Sequence, residues 1–301
     1  MKTEIKTILA PTDFTQRSKN ALIVAAKMAQ RHHAKLIITH VIHTYYLINK
    51  SGKQVIGSDS VNESYNRSRL KLEKLKASFE KKYNLEIETS ISSLNLVETI
   101  NEFVYSDQID LVIVGTSGRQ NMKQFFLGSN SYNILLYSDC SVLLVPENFK
   151  RTSFKKILFP VRVSHELLQK ADLSILLAKK NEGEIKLLGV GKPEPKIKMR
   201  SAFSEIQKNL HLRSANYQSE FKISNDCAEV ISEVAKEKKS DIIILADQDE
   251  DSWKSFMGDN FFKKMINGTD IPLLIVKSKL KRINNKTERI SNYDVSMPIP
   301  G

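Results

Sequence analysis

The chain has only two cysteines, Cys140 and Cys227, which excludes a disulfide framework and any zinc site built on paired cysteines. No apolar run approaches the roughly 20 residues that a membrane helix needs. The first nine residues, Met1 to Leu9, lead into a charged-then-apolar strand and hold no secretory h-region, so a cytoplasmic location is expected. The six histidines do not cluster at ligand spacing, and no Ser-His-Asp or Cys-His order is present. No Gly-Lys-Ser/Thr closes a P-loop, and no G-x-G-x-x-G is found.

What is present is ordinary in composition and basic in charge. The chain has 301 residues, 41% hydrophobic and 27% charged, with a formal net charge of +12. That length suggests two domains of about 150 residues, each able to bury a core. The positive charge favours polyanionic partners in general. It is spread over helical faces (Arg67, Arg69, Lys71, Lys74) and over the tail (Lys279, Lys281, Arg282), which is how solvating charge is distributed. Specific nucleic-acid binding is not expected.

The sequence repeats itself. Residues 6–11, KTILAP, match residues 155–160, KKILFP, and DLVIVG at 110–115 matches DIIILA at 241–246. Phe126-Leu127-Gly128-Ser129-Asn130 faces Phe256-Met257-Gly258-Asp259-Asn260. Ser141–Val145 faces Ile271–Ile275. Four landmarks in one order indicate a tandem duplication with its junction near Asn148–Ser153.

Within each half, short Ile- and Val-rich runs alternate with amphipathic stretches, the pattern of a parallel sheet covered on both faces. Strands are expected near 5–11, 35–42, 86–92, 110–115 and 141–146, with helices near 16–32, 61–83, 95–106 and 129–138. The second half repeats the plan, with strands near 155–161, 184–190, 217–224, 241–246 and 271–277. The expected fold is α/β, with two tandem five-stranded parallel-sheet domains, doubly wound. Expected boundaries are 1–149, 150–278 and a flexible tail over 279–301. The Gly- and Ser-containing segment 47–60 reads as a loop. The stripe Val61, Tyr65, Ser68, Leu72, Leu75, Phe79 and Tyr83 reads as core-facing in preference to a coiled-coil seam.

The most informative feature is GTSGRQNMKQFFLGS, residues 115–129, in which Gly115, Gly118 and Gly128-Ser129 form G-x2-G-x9-G-S. An apolar strand precedes it and a helix follows. Glycines let amide groups approach an anion closely, and the helix N-terminus adds partial positive charge. Ligands of open parallel sheets lie beyond the carboxyl ends of the strands, where strand order reverses. The other ends there are Pro11-Thr12-Asp13 and His40-Val41. Asp13 suits a ribose hydroxyl or an adenine amino group, and equally suits a helix N-cap region. His40 reads as structural, as do Cys140 and Cys227.

These motifs resemble the universal stress protein family in a tandem form. The resemblance rests on Ile8–Asp13, His40-Val41, the glycine pattern of Gly115–Ser129 and Val142–Pro146, and the second half follows the same plan. It implies a Rossmann-like domain of the adenine nucleotide alpha hydrolase kind, and a stress-response protein that binds ATP, alone or with Mg2+. Carried over, Pro11, Asp13 and Val41 take the nucleoside end; Gly115, Gly118, Gly128, Ser129 and Asn130 take the ribose and phosphates. Arg119 and Lys123, inside the loop, are charge-assisted phosphate donors or solvated cations. No catalytic residue stands out, and at most weak ATP hydrolysis is implied. Alternatives are a stress-linked interaction protein without nucleotide and a slow ATPase. The resemblance implies that the two halves pair within the chain, as separate family subunits do, through their last strands, with protein partners or a homodimer beyond that.

The second half departs from the motif. Arg162 replaces Asp13, Ala246 replaces Gly115, Asp249 replaces Gly118 and Asp259 replaces Ser129. A carboxylate about 4 Å from a phosphate costs on the order of 4 kcal/mol at an effective dielectric near 20. The run Asp247-Gln248-Asp249-Glu250-Asp251 does not make a calcium loop either, because Ser252 and Gly258 stand where Gly and Glu are required. One nucleotide site per chain is the expectation.

Overall fold

The computed structural model describes residues 4–42, 46–49, 52–55, 58–116, 129–162, 168–191, 196–247 and 261–277. The tail from 279, the glycine loop from 117 to 128 and the acidic residues 248–251 lie outside the described residues.

The first half runs β1 (Thr7–Pro11), α1 (Gln16–His32), β2 (Lys35–Val41), β3 (Tyr46–Asn49), β4 (Gly52–Val55), α2 (Ser58–Tyr83), β5 (Ile87–Ser92), α3 (Leu96–Ser106), β6 (Leu111–Thr116), α4 (Ser129–Tyr137) and β7 (Ser141–Pro146). The second runs β8 (Lys156–Val161), α5 (Leu168–Asn181), β9 (Glu184–Gly191), α6 (Lys196–Leu212), β10 (Tyr217–Ile223), α7 (Cys227–Glu237), β11 (Ile242–Ala246), α8 (Phe261–Gly268) and β12 (Leu273–Val276).

All but β3 and β4 join one ten-stranded sheet in the order β10-β9-β8-β11-β12-β7-β6-β1-β2-β5. Within each half the five strands are parallel, and each half has the same internal order. The halves meet at β12 and β7, which pair antiparallel through Leu273↔Leu144, Leu274↔Leu143 and Ile275↔Val142. Both strands are buried from end to end, apart from Ser141. The seam therefore continues the core from one half into the other.

The helices cover both faces, and two apolar clusters fill the layers, one on each face of the sheet. Their strand residues alternate: Ile8, Ala10, Ile113 and Leu143 belong to one cluster, and Leu9, Val112, Val142 and Leu144 to the other. Both clusters draw residues from both halves, as a doubly covered sheet requires.

A repeated carboxylate registers each half. Asp110, just ahead of β6, accepts from the amides of Lys6 at 2.8 Å and Thr7 at 3.1 Å. Asp241, just ahead of β11, accepts from the amides of Lys155 and Lys156, both at 2.9 Å, and pairs with Arg151. The duplicated aspartate thus has a structural role, tying the start of one strand to its neighbour.

The segment 47–60 differs from the expected loop. It holds the β3–β4 hairpin, with Tyr46↔Val55, Leu47↔Gln54, Ile48↔Lys53 and Asn49↔Gly52 paired, and the start of α2. The apolar, β-favouring stretch Tyr46-Leu47-Ile48 outweighs the Gly and Ser that suggested a loop. On α2, Ser68, Leu72, Phe79 and Tyr83 are buried, whereas Tyr65 is exposed. The stripe therefore faces the core along its later turns.

Candidate functional site

Strand order reverses in the first half between β1 and β6, so the crevice of that half opens at Pro11–Asp13 on one side and Gly115-Thr116 on the other. Pro11 ends β1 and is buried, and the Thr12 amide bonds to the Thr39 carbonyl of β2 at 2.8 Å. The chain then turns sharply. Phe14 takes a left-handed φ of 62°, rare for a bulky residue, and its amide is held by Thr12 Oγ1 at 3.1 Å.

Asp13 sits at the mouth of this turn and is exposed. Its Oδ1 accepts from the Thr15 amide at 3.0 Å, while Thr15 itself caps α1 by accepting from the Ser18 amide. Of the two readings of Asp13, the helix-start one is seen here: Thr15 is the cap itself, and Asp13 holds the cap in place. Burial pushes the Asp13 pKa up, but hydrogen bonds from Ser18 and Thr15 and the Arg17 charge outweigh it. The net effect lies below the usual carboxylate value, so Asp13 is an ionised acceptor at neutral pH.

Gly115 stands opposite. A Cβ at this position would lie 2.5 Å from the Arg17 carbonyl oxygen and 2.8 Å from the Arg17 carbonyl carbon. The first turn of α1 therefore packs directly on the end of β6, and only glycine admits it. This gives Gly115 a packing role that the glycine spacing alone did not reveal. The Arg17 guanidinium stands 4.0 Å from Asp13. Sequence reading passed over Arg17; its place in the first turn of α1, four residues after Asp13, was the available signal.

The β2 end supplies His40 and Val41, both half-buried. His40 Nδ1 lies 2.7 Å from the Thr12 carbonyl oxygen. A carbonyl can only accept, so Nδ1 carries the proton, and in the neutral ring Nε2 is left as an acceptor. The Phe14 ring lies 4.5 Å from the His40 ring, and Lys71 Nζ stands 5.4 Å above Phe14. Phe14 and Lys71 were not foreseen.

Ser129 and Asn130 open α4, which places their backbone at a helix N-terminus. Gly118, Arg119, Lys123 and Gly128 lie outside the described residues. The structure thus brings together Pro11, Asp13, His40, Val41 and Gly115 around one strand-end crevice.

Residues 4–146 match the profile of the universal stress protein family. These residues form a universal stress protein domain. A universal stress protein of Thermus aquaticus is 29% identical over 141 residues, covering 46% of this chain and 98% of that protein. One of Methanocaldococcus jannaschii is 23% identical over 142 residues, covering 46% of this chain and 81% of that protein. The crystal structure of a universal stress protein from Archaeoglobus fulgidus has the same fold over both halves. It covers 91% of this chain and 99% of its own, with a TM-score of 0.71 and 14% identity. The universal stress protein fold therefore extends beyond the matched residues into the second half.

Among the described residues no group of His, Cys, Asp or Glu is arranged to hold a metal ion, and no helix is long and apolar enough to cross a membrane. Cys140 is buried, with its thiol 3.3 Å from the Ile109 carbonyl oxygen, and Cys227 begins α7.

Proposed function

We propose that the first half is an ATP-binding universal stress protein domain, and that the bound nucleotide switches the conformation or the associations of the chain. The observation that carries this reading is the pairing of an ionised Asp13 with Gly115 across the point where strand order reverses. Asp13 is suited to accept from ribose hydroxyls or from an adenine amino group. Val41, half-buried at the end of β2, offers an apolar surface for a base. Phosphates would lie toward Gly115 and the start of α4, where Ser129 and Asn130 present helix-terminal amides. Gly118, Gly128 and Arg119 complete that end in this reading. The donor set fits a nucleotide, with or without Mg2+ on its phosphates.

The chemistry favours binding over turnover. Phosphoryl transfer needs a positioned nucleophile and a group to orient it. Asp13 is engaged with Thr15, and His40 Nδ1 with the Thr12 carbonyl. A binding protein signals by holding ligand differently in two states, and needs no reaction to do so.

The test is calorimetric titration of the intact chain with ATP, AMP and cyclic AMP, beside Gly118→Asp and Ser129→Asp variants. Those substitutions copy the second half into the first. Saturable ATP binding that both variants abolish is expected. No ATP affinity up to millimolar concentrations defeats the reading, and unchanged affinity in the variants defeats the residue assignment.

A further inference from the structure

The second half rebuilds the crevice with its charges rearranged. Arg162 follows β8 where Asp13 follows β1, and Asp247 follows Ala246 of β11 where Thr116 follows Gly115. The parallel register Ile242↔Ile157 and Ile243↔Leu158, continued at the same offset, sets Asp247 beside Arg162. The Arg162 guanidinium lies over the ring of Phe261, 3.8 Å from its centroid, and Phe261 is the first residue of α8.

A ring face satisfies the cation from above but offers nothing in the guanidinium plane, where the N–H groups point. Arg162 Nε and Nη1 are sealed from solvent and have no hydrogen-bond acceptor. Buried donors on a charged group are costly unless an acceptor meets them. Asp247, 1% exposed, is the nearest internal candidate by register, yet no hydrogen bond or ion pair joins it to Arg162 among the described residues. A second cation lies beneath. Lys170 occupies the place of Ala21, is fully buried, and donates from Nζ to the Pro160 carbonyl at 2.5 Å, two residues before Arg162. The carboxyl end of β8 therefore carries two cationic groups, one of them lacking its acceptor.

We propose that the crevice between β8 and β11 is a second ligand site of opposite polarity to the first, taking an oxyanion in the plane of the Arg162 guanidinium. Asp13 faces donors in the first half; Arg162 faces acceptors in the second. The ligand is a phosphate or carboxylate group on a small molecule, held by charge-assisted hydrogen bonds from Nε and Nη1.

The experiment follows the arginine Nε–Hε resonances of the intact, 15N-labelled chain while inorganic phosphate, or acetate in a separate arm, is added at constant ionic strength. The Arg162 signal is assigned by its loss in Arg162→Gln. A saturable shift at millimolar anion or below is expected in one arm, and that arm names the ligand class. If Arg162→Gln does not fold, Arg162→Lys keeps the charge without the planar donors and should weaken binding at least tenfold. An Arg162 signal indifferent to both anions overturns the proposal. A signal that moves with Asp247→Asn but with neither anion identifies an internal ion pair and overturns it equally.

Discussion

The Arg17 carbonyl oxygen lies 2.5 Å from where a Cβ on residue 115 would stand, so helix α1 and strand β6 meet through a missing side chain. Asp13 is held by the same first turn of α1, through Thr15 and Arg17. The two sides of the candidate nucleotide crevice are thus mechanically one unit.

Gly115→Ala should therefore cost about 1–3 kcal/mol by overpacking. It should also weaken ATP binding by shifting Asp13, even though Ala246 is accommodated at the matching position of the second half. Urea unfolding read beside ATP titration checks both parts. A variant with unchanged stability would mean that α1 can move off β6 freely.

His32, at the end of α1, is buried with Nε2 lacking a partner. Burial, then the charges of Lys180, Arg31 and His33, push its pKa down to about 4. Because the folded value lies below the unfolded one, the unfolded chain binds the extra proton first as pH falls. Stability should be full above about pH 6.5 and should fall by up to about 1.4 kcal/mol per unit as pH drops toward 4. His32→Leu should flatten that window. Urea midpoints across the range, wild type against variant, measure it.

Asp241 is buried and meets two amides and Arg151. Asp241→Ala strands both amide donors and should cost about 2 kcal/mol or more. Asp110→Ala, at the more exposed copy of the same device, should cost less. Thermal denaturation of the two variants gives the order.

The β7–β12 seam joins the halves through fully apolar pairs. Leu274→Asp places a charge against Leu143, so the amides of Val142 and Leu144 should lose their slow hydrogen exchange. Amides of β1 and β2 should keep theirs. Equal loss everywhere would mean that the two halves have no separate stability.

The fold was legible because its signals are redundant. Ile- and Val-rich runs, helix stripes and a duplicated order agree with one another, and α1 and β7 occupy the expected residues. The seam leaves no local period in the sequence; pairing through the last strands followed from the family resemblance alone, and β7 and β12 are those strands. The hairpin at 46–55 was hidden by Gly and Ser, whose turn signal masks a short apolar strand. At the site, Asp13 and Gly115 were visible as motif residues. Their link through Arg17 was not, because it runs through a backbone carbonyl that no side-chain pattern records. Likewise the aspartate of DLVIVG and DIIILA serves registration, a role that its repetition alone did not reveal.

The central claim is a single nucleotide site per chain, in the first half. It is tested most directly by the stoichiometry of ATP binding to the intact chain, measured calorimetrically on the wild type and on Arg162→Lys, in which the second crevice is weakened. One equivalent of ATP, lost in Ser129→Asp, is the predicted result. Two equivalents, or no saturable binding, would contradict the account.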